Sequence, residues 1–185
     1  MIDDLLRDSK GRMQTTLDVL SEDLLGIRTG RASPALIEKL QVEYYGSPLS
    51  LIQIATISVP EARQLMIRPF DNSSLKAIER EILASDLGLT PSNDGKVIRL
   101  NLPPLTEERR RDLVKMVNNR LEDARVAIRN IRRDTIKDLR DFEKEKMISE
   151  DELKLGETQL QDLTNEMIDQ VAVIGKRKEE EIMGF

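Results

Sequence analysis

The sequence predicts an α+β protein of two domains, an elongated antiparallel three-helix bundle interrupted by a small α/β, mostly β, insert. Three observations predict it. Residues 2–27 and two long stretches after residue 106 repeat apolar side chains every three or four positions, the spacing of amphipathic helices. All seven prolines lie between Pro34 and Pro104, so the middle of the chain is punctuated as long helices are not. Short β-forming runs fill that middle segment, and one of them alternates with the period of a strand.

In the first helix Met13, Leu17, Leu20, Leu24 and Ile27 step by four and three, the seam of a helix packed on partner helices. Thr29-Gly30 reads as its stop signal, with Pro34 soon after. In the insert, VEYYGSPLSL (42–51) sets β-forming residues around a Gly-Ser-Pro turn. ATISV and LMIRPF read as two short strands split by Pro60. KVIRLNL alternates Ile98, Leu100 and Leu102 after an Asn93-Asp94-Gly95 turn. Between them SLKAIEREILASDLG reads as one helix, with Leu75, Ile78 and Ile82 buried and Gly88 as its C-terminal cap.

After residue 105 the helical rhythm returns. Thr106 is the N-cap, with Glu107 and Glu108 where the helix dipole favours anions. Val117, Leu121, Ala124, Ile128, Ile131, Thr135 and Phe142 continue the seam. Ser149 and Glu152 form a capping box that starts the last helix. Its seam is Leu153, Leu160, Leu163, Met167, Val171 and Ile174. Helices of about 42 and 35 residues run roughly 60 and 50 Å. Each offers one apolar stripe, and a three-helix bundle buries all three. Residues 1–29 and 106–185 therefore make one domain and residues 30–105 the other. The two crossings, Thr29-Gly30 and Pro103-Pro104-Leu105, lie close together and form the expected hinge.

Composition narrows the function. The chain has no Cys, His or Trp, which removes disulfides, the usual zinc sites, thiol nucleophiles and histidine bases. Paired acids such as Asp3-Asp4 and Asp151-Glu152 sit where helix N-termini want charge, and nothing points to a carboxylate pair across a cleft. The scattered glycines build no phosphate-cradling loop. No run approaches 18 apolar residues, so no membrane span is expected. The start, MIDDLLRDSK, carries no apolar signal region. Tyr44 and Tyr45 read as strand residues with one ring buried.

The net charge of -5 conceals one basic helix. Residues 106–148 hold thirteen basic and ten acidic residues, whereas residues 149–185 hold four and ten. On a wheel of about 100° per residue with Val117 at zero, Arg111, Lys115, Arg125, Arg129, Arg132, Arg133 and Arg140 fall at roughly +60° to +160°. Asp112, Asp123, Asp134, Asp138, Asp141 and Glu145 fall on the opposite flank. Arg109 and Arg120 interrupt the acidic side, and Glu107, Glu122 and Glu143 the basic one. With those exceptions the signs are segregated, which forgoes the i,i+4 pairs that stabilise a merely soluble helix. Two readings remain open. The acidic last helix lies along the basic flank, making interhelical salt bridges, or the flank is a phosphate-binding stripe, which arginine's planar fork suits. With only 3% aromatics, such a stripe fits folded, double-stranded RNA better than stacked single strands.

RTGRASP (28–34), VEYYGSPL (42–49), SVPEARQLMIRPFD (58–71), IRLNLPPLTEERR (98–110) and RNIRRD (129–134) occur in the order found in ribosome recycling factors. The chain resembles that family over essentially its whole length. The resemblance implies an L-shaped protein about the size of a transfer RNA. It implies binding to the 70S ribosome, with the bundle on 23S rRNA of the 50S subunit. It also implies splitting of the post-termination complex with elongation factor G. No chemistry or cofactor of the chain's own is implied, GTP being used by the elongation factor. Arg110, Arg129 and Arg132 match the family's ribosome-binding arginines. Arg125 and Arg133 join them from the wheel, and Arg28 and Arg31 flank the hinge glycine. A cytoplasmic monomer is expected. The alternative is a coiled-coil interaction module whose basic flank meets an acidic protein partner.

Overall fold

A computed structural model of the chain describes residues 1–184. The chain runs through helix α1 (Ile2–Leu25), strands β1 (Gln41–Tyr44) and β2 (Ser47–Ser50), and a single helical turn α2 (Leu51–Ile54). It continues through β3 (Ala55–Glu61), β4 (Gln64–Pro69), α3 (Leu75–Ala84), β5 (Pro91–Asn93), β6 (Ile98–Asn101), α4 (Glu107–Lys144) and α5 (Glu150–Met183). It divides into two compact units, residues 1–24 with 114–180, and residues 25–113 with 181–185. The unit boundaries thus fall at 24/25 and 113/114 where 29/30 and 105/106 were expected, and the end of α5, expected with the bundle, goes with the second unit.

The first unit is a three-helix bundle. Met13, Leu17, Leu20 and Leu24 of α1 are buried against Val117, Leu121, Ala124, Ile128, Ile131 and Leu139 of α4 and Leu160, Met167 and Val171 of α5. α1 runs antiparallel to α4. Ser9 Oγ meets Thr135 Oγ1 at 2.6 Å, and Arg12 pairs with Asp134 at 3.5 Å. Each of those two hydroxyls also lies within 2.9 Å of its own helix's carbonyl four residues back, so both stay satisfied out of water. α5 is antiparallel to α4 in turn, with Arg140 beside Glu157 and Arg132 beside Gln161. The capping box at α5 forms as expected, with Glu152 accepting from Ser149 N at 2.7 Å and Ser149 Oγ from Glu152 N at 3.2 Å. Thr106 Oγ1 accepts from Arg109 N and caps α4.

The seam of α5 differs from the expectation. Leu153, Leu163 and Ile174 are half-buried, while Gly156, Thr164 and Gly175 are buried. Close approach explains it. A Cβ on Gly175 would collide with the Leu121 side chain, and one on Gly156 would touch Leu139 and Ile2. Small residues let α5 lie nearer to its partners than leucines would.

The second unit has a four-stranded antiparallel sheet, in order β3-β4-β6-β5, and a β1-β2 hairpin. α3 covers the sheet's inner face. Ile37, Val42, Leu51, Ile54, Leu65, Ile67, Ile78, Ile82, Ile98 and Leu100 form the core. Two expectations are corrected. Pro60 does not separate two strands but lies inside β3, where the pairing shifts between Ser58 and Glu61. β3 is an edge strand, so the missing N–H is tolerated. Gly88 does not cap α3, since the helix ends at Ala84 and Ser85 follows as its cap, with Gly88 left in the next turn at φ 64°. Between β5 and β6, Asp94 Oδ1 accepts from the N–H groups of Lys96 and Val97, both at 2.9 Å, and Oδ2 meets Arg99 at 3.0 Å.

Two predictions test this packing. Gly11 sits mid-helix with nothing near its missing Cβ, so Gly11→Ala should raise unfolding stability in urea by about 0.5–1 kcal/mol. Gly175→Ala should lower it by about 1–2 kcal/mol, because the crowding outweighs the better helix former. The Asp94 turn is sensitive to pH. The Val97 and Lys96 amides, with Arg99, hold its carboxyl down at about 2. A depressed carboxyl stabilises the fold above its unfolded value of about 4 and ceases to as pH falls through about 2. The difference in Tm between the parent chain and Asp94→Ala should be full at pH 7 and narrow toward pH 2.

Candidate nucleic-acid interface

Helix α4 carries the arginines, and three elements of the bundle decide which of them face water. Its apolar seam fixes the rotation. α1 takes the acidic side, through Arg12 and Asp134. α5 takes part of the basic side. The two readings of that flank therefore divide it. Arg140 makes an ion pair with Glu157 of α5 at 3.1 Å, an exposed pair of little energetic weight. Arg132 is half-buried and donates to Gln161 Oε1 at 2.9 Å, and Gln161 donates on to Asn165. The neighbouring arginines pair within α4 instead. Arg129 and Arg125 both reach Glu122 of their own helix, at 2.6 and 3.4 Å. Arg129's hydrogen bond foremost holds the Glu122 carboxyl below its usual range. Arg133 is exposed and, among the described residues, makes no hydrogen bond or ion pair.

Two cations that the wheel left off the flank join this surface. Lys137 and Lys144 line a groove of about 590 Å³ between α4 and α5, together with Arg133, Arg140, Ile136, Leu153 and two acids, Asp141 and Glu143. The four basic residues step by four, three and four along α4. That spacing was visible in the sequence, but a wheel zeroed on Val117 places both lysines near its back.

In the other unit the remaining candidates are arranged differently. Arg110 is half-buried, and its Nη1 donates to the Met183 carbonyl at 2.8 Å. It thereby satisfies one of the carbonyls that the end of α5 leaves without a helical partner. Arg28 donates to the Pro103 carbonyl, and its Nε is buried with no partner. Burial, then the nearby Arg109 charge, lowers its pKa. Arg28 therefore ties the two crossings to each other. Both crossings are also fastened to the β3–β4 turn, Ala32 N to Ala62 O at 2.7 Å and Leu102 N to Arg63 O at 2.8 Å. Thr29 and Gly30 are buried there, Gly30 at φ 88°, while Pro103 and Pro104 are exposed and Leu105 half-buried. Arg31 is exposed just beyond them.

The surface can hold anions through forked donors. Among the described residues no cluster of acids is placed to hold a metal ion, and no helix is long and apolar enough to cross a membrane.

The profile of one family, described as ribosome recycling factor, matches residues 20–183. A ribosome-recycling factor of Alcanivorax borkumensis is 54% identical over 183 residues, 99% of each chain. That of Carboxydothermus hydrogenoformans is 52% identical over 185 residues, the whole of both. Among solved structures, a solution structure of the ribosome recycling factor is similar, with TM-score 0.78 and 41% identity over all of this chain and 98% of that one. So is a T. thermophilus ribosome recycling factor described, with E. coli elongation factor G, as bound to the E. coli post-termination complex. It shares 47% identity, with TM-score 0.68, over the whole of both chains. With motifs, architecture and relatives agreeing along its full length, this chain belongs to the ribosome recycling factor family.

Proposed function

We propose that this protein binds the 70S ribosome after termination and, with elongation factor G and GTP, splits it into subunits. The observation that carries the proposal is the arginine row of α4, with Arg129 and Arg133 exposed and Arg125 and Arg132 half-buried, in a chain of this family. Charge-assisted, two-pronged hydrogen bonds from arginine to phosphate give such a row its grip. Folded 23S rRNA of the 50S subunit is the target. Arg110, Arg28 and Arg31, which lie in the other unit, are the further ribosome-binding residues, with Arg28 also bonded to the Pro103 carbonyl and Arg110 to that of Met183. Thr29, Gly30, Pro103, Pro104 and Leu105 form the hinge about which residues 30–105 swing. The protein is not an enzyme and has no cofactor of its own, because its elongation factor partner supplies the energy from GTP. It works as a monomer in the cytoplasm.

Subunit splitting followed by light scattering, with elongation factor G and GTP, tests the whole reading. Scattering should fall only when both proteins and GTP are present, and unchanged scattering would refute it. The rRNA grip has its own tests. Arg132→Ala should weaken 50S binding by about 1–3 kcal/mol with little effect on folding. Wild-type affinity should drop steeply with added salt. Glu122→Gln removes the acid that occupies Arg125 and Arg129, so co-sedimentation should show tighter 50S binding and a steeper salt slope. Binding that survives ribonuclease treatment and ignores salt would instead favour a protein target.

A further inference from the structure

Tyr45 is held in a backbone conformation that costs free energy, and its ring points into water. β1 and β2 are joined by Tyr45 and Gly46, both at positive φ, 48° and 80°. Two-residue hairpin turns of this kind favour Asn or Asp followed by Gly. A bulky residue at the first position is an outlier and persists only where its surroundings hold it. Core burial is not the compensation, because Tyr45 is 78% exposed. Polar contacts fix it instead. Its hydroxyl donates to Asp71 Oδ2 at 2.6 Å. Tyr44 packs edge-on against it, with ring centroids 4.5 Å apart. Asp71 is anchored in turn, its Oδ1 accepting from Ser73 N at 2.9 Å. The hydrogen bond from Tyr45 foremost keeps the Asp71 carboxyl below its usual range, so it is ionised at neutral pH. The result is a rigid aromatic face beside a fixed negative charge.

We propose that Tyr45 and Asp71 capture an arginine of a protein partner, the guanidinium stacking on the ring while its N–H groups meet the carboxylate. Arginine fits both halves, since its flat cation stacks on aromatic faces and its fork matches a carboxylate. A ring already immobilised loses little further freedom on binding. Charge argues against nucleic acid here. A base stacked on Tyr45 would bring its phosphates toward Asp71, and residues 31–105 carry eight acidic and eight basic residues, with no positive excess to offset this. The proposal rests on the function above, in that the partner is a protein of the ribosome–elongation factor complex presenting an exposed arginine.

Tyr45→Asn installs the residue the turn prefers, so it should melt at or above the wild-type temperature while lacking the ring. With purified 70S ribosomes, elongation factor G and GTP, its splitting rate should fall about tenfold. Its co-sedimentation with 70S ribosomes should stay within about twofold of wild type, because α4 is untouched. Asp71→Asn keeps an oxygen for Ser73 and should also slow splitting. A short photoactivatable cross-linker on Tyr45→Cys, in the same complex with a GTP analogue that cannot be hydrolysed, should attach to protein at an arginine-bearing segment. Wild-type splitting by Tyr45→Asn, an adduct to rRNA, or no adduct would each overturn the proposal. Failure of the wild-type chain itself to co-sediment would instead refute the ribosome reading, and this proposal with it.

Discussion

Burial of the α4 seam from Val117 to Leu139 by two unlike partners sets the terms for the bundle. A helix of 38 residues owes its persistence to tertiary packing of one face more than to intrinsic propensity. Because α1 and α5 share that face, each also decides the fate of one flank. α1 brings Ser9 and Arg12 to Thr135 and Asp134. α5 brings Gln161 and Glu157 to Arg132 and Arg140. An arc between those contacts stays open, and Arg129 and Arg133 stand on it. The cations are presented by subtraction, since they are what packing leaves uncovered.

That arc is poised rather than bare. Glu122 holds Arg129 and Arg125 in place. Such an exposed pair adds little to stability, but it orients two guanidinium groups on one side of the helix. A polyanion that displaces Glu122 finds them already lined up. Arg133, with no such partner among the described residues, pays no exchange at all. The second unit solves a separate problem. Two chain crossings meet at one β-turn, held by the Ala32 and Leu102 amides and by Arg28 on Pro103.

Much of this was legible in the sequence, and the failures have physical reasons. The α1 seam, the Ser149–Glu152 box, the buried face of α3 and the alternation of β6 follow from periodicity and capping, which are local. α2 went unread because four residues, Leu51–Ile54, are too few to show a period, although Ser50 and Gln53 mark a box around its start. The α5 seam was misjudged because the sequence looked for large apolar residues, whereas the closest approaches are made at Gly156 and Gly175. The expected pair of tyrosines with one ring buried became a half-buried Tyr44 and an exposed Tyr45, because the Tyr45-Gly46 turn carries Tyr45 out of the strand. At the candidate interface, the helix wheel set Arg125, Arg129, Arg132 and Arg133 on one flank of α4. It was silent on which of them α5 would engage, because that depends on neighbours 17 and 29 residues away along the chain.

The central claim is that the basic flank of α4, and not its acidic flank, faces rRNA. The chain has no cysteine of its own, so one can be placed at will. Asn118 and Asn130 are both exposed and neutral, the first on the basic flank and the second on the acidic one. An iron chelate tethered to Asn118→Cys, bound to 70S ribosomes and triggered to release hydroxyl radicals, should cut 23S rRNA strongly at a few adjacent sites. The same chelate on Asn130→Cys should cut it weakly or not at all. Equal cutting from both positions, or stronger cutting from Asn130→Cys, would contradict the account.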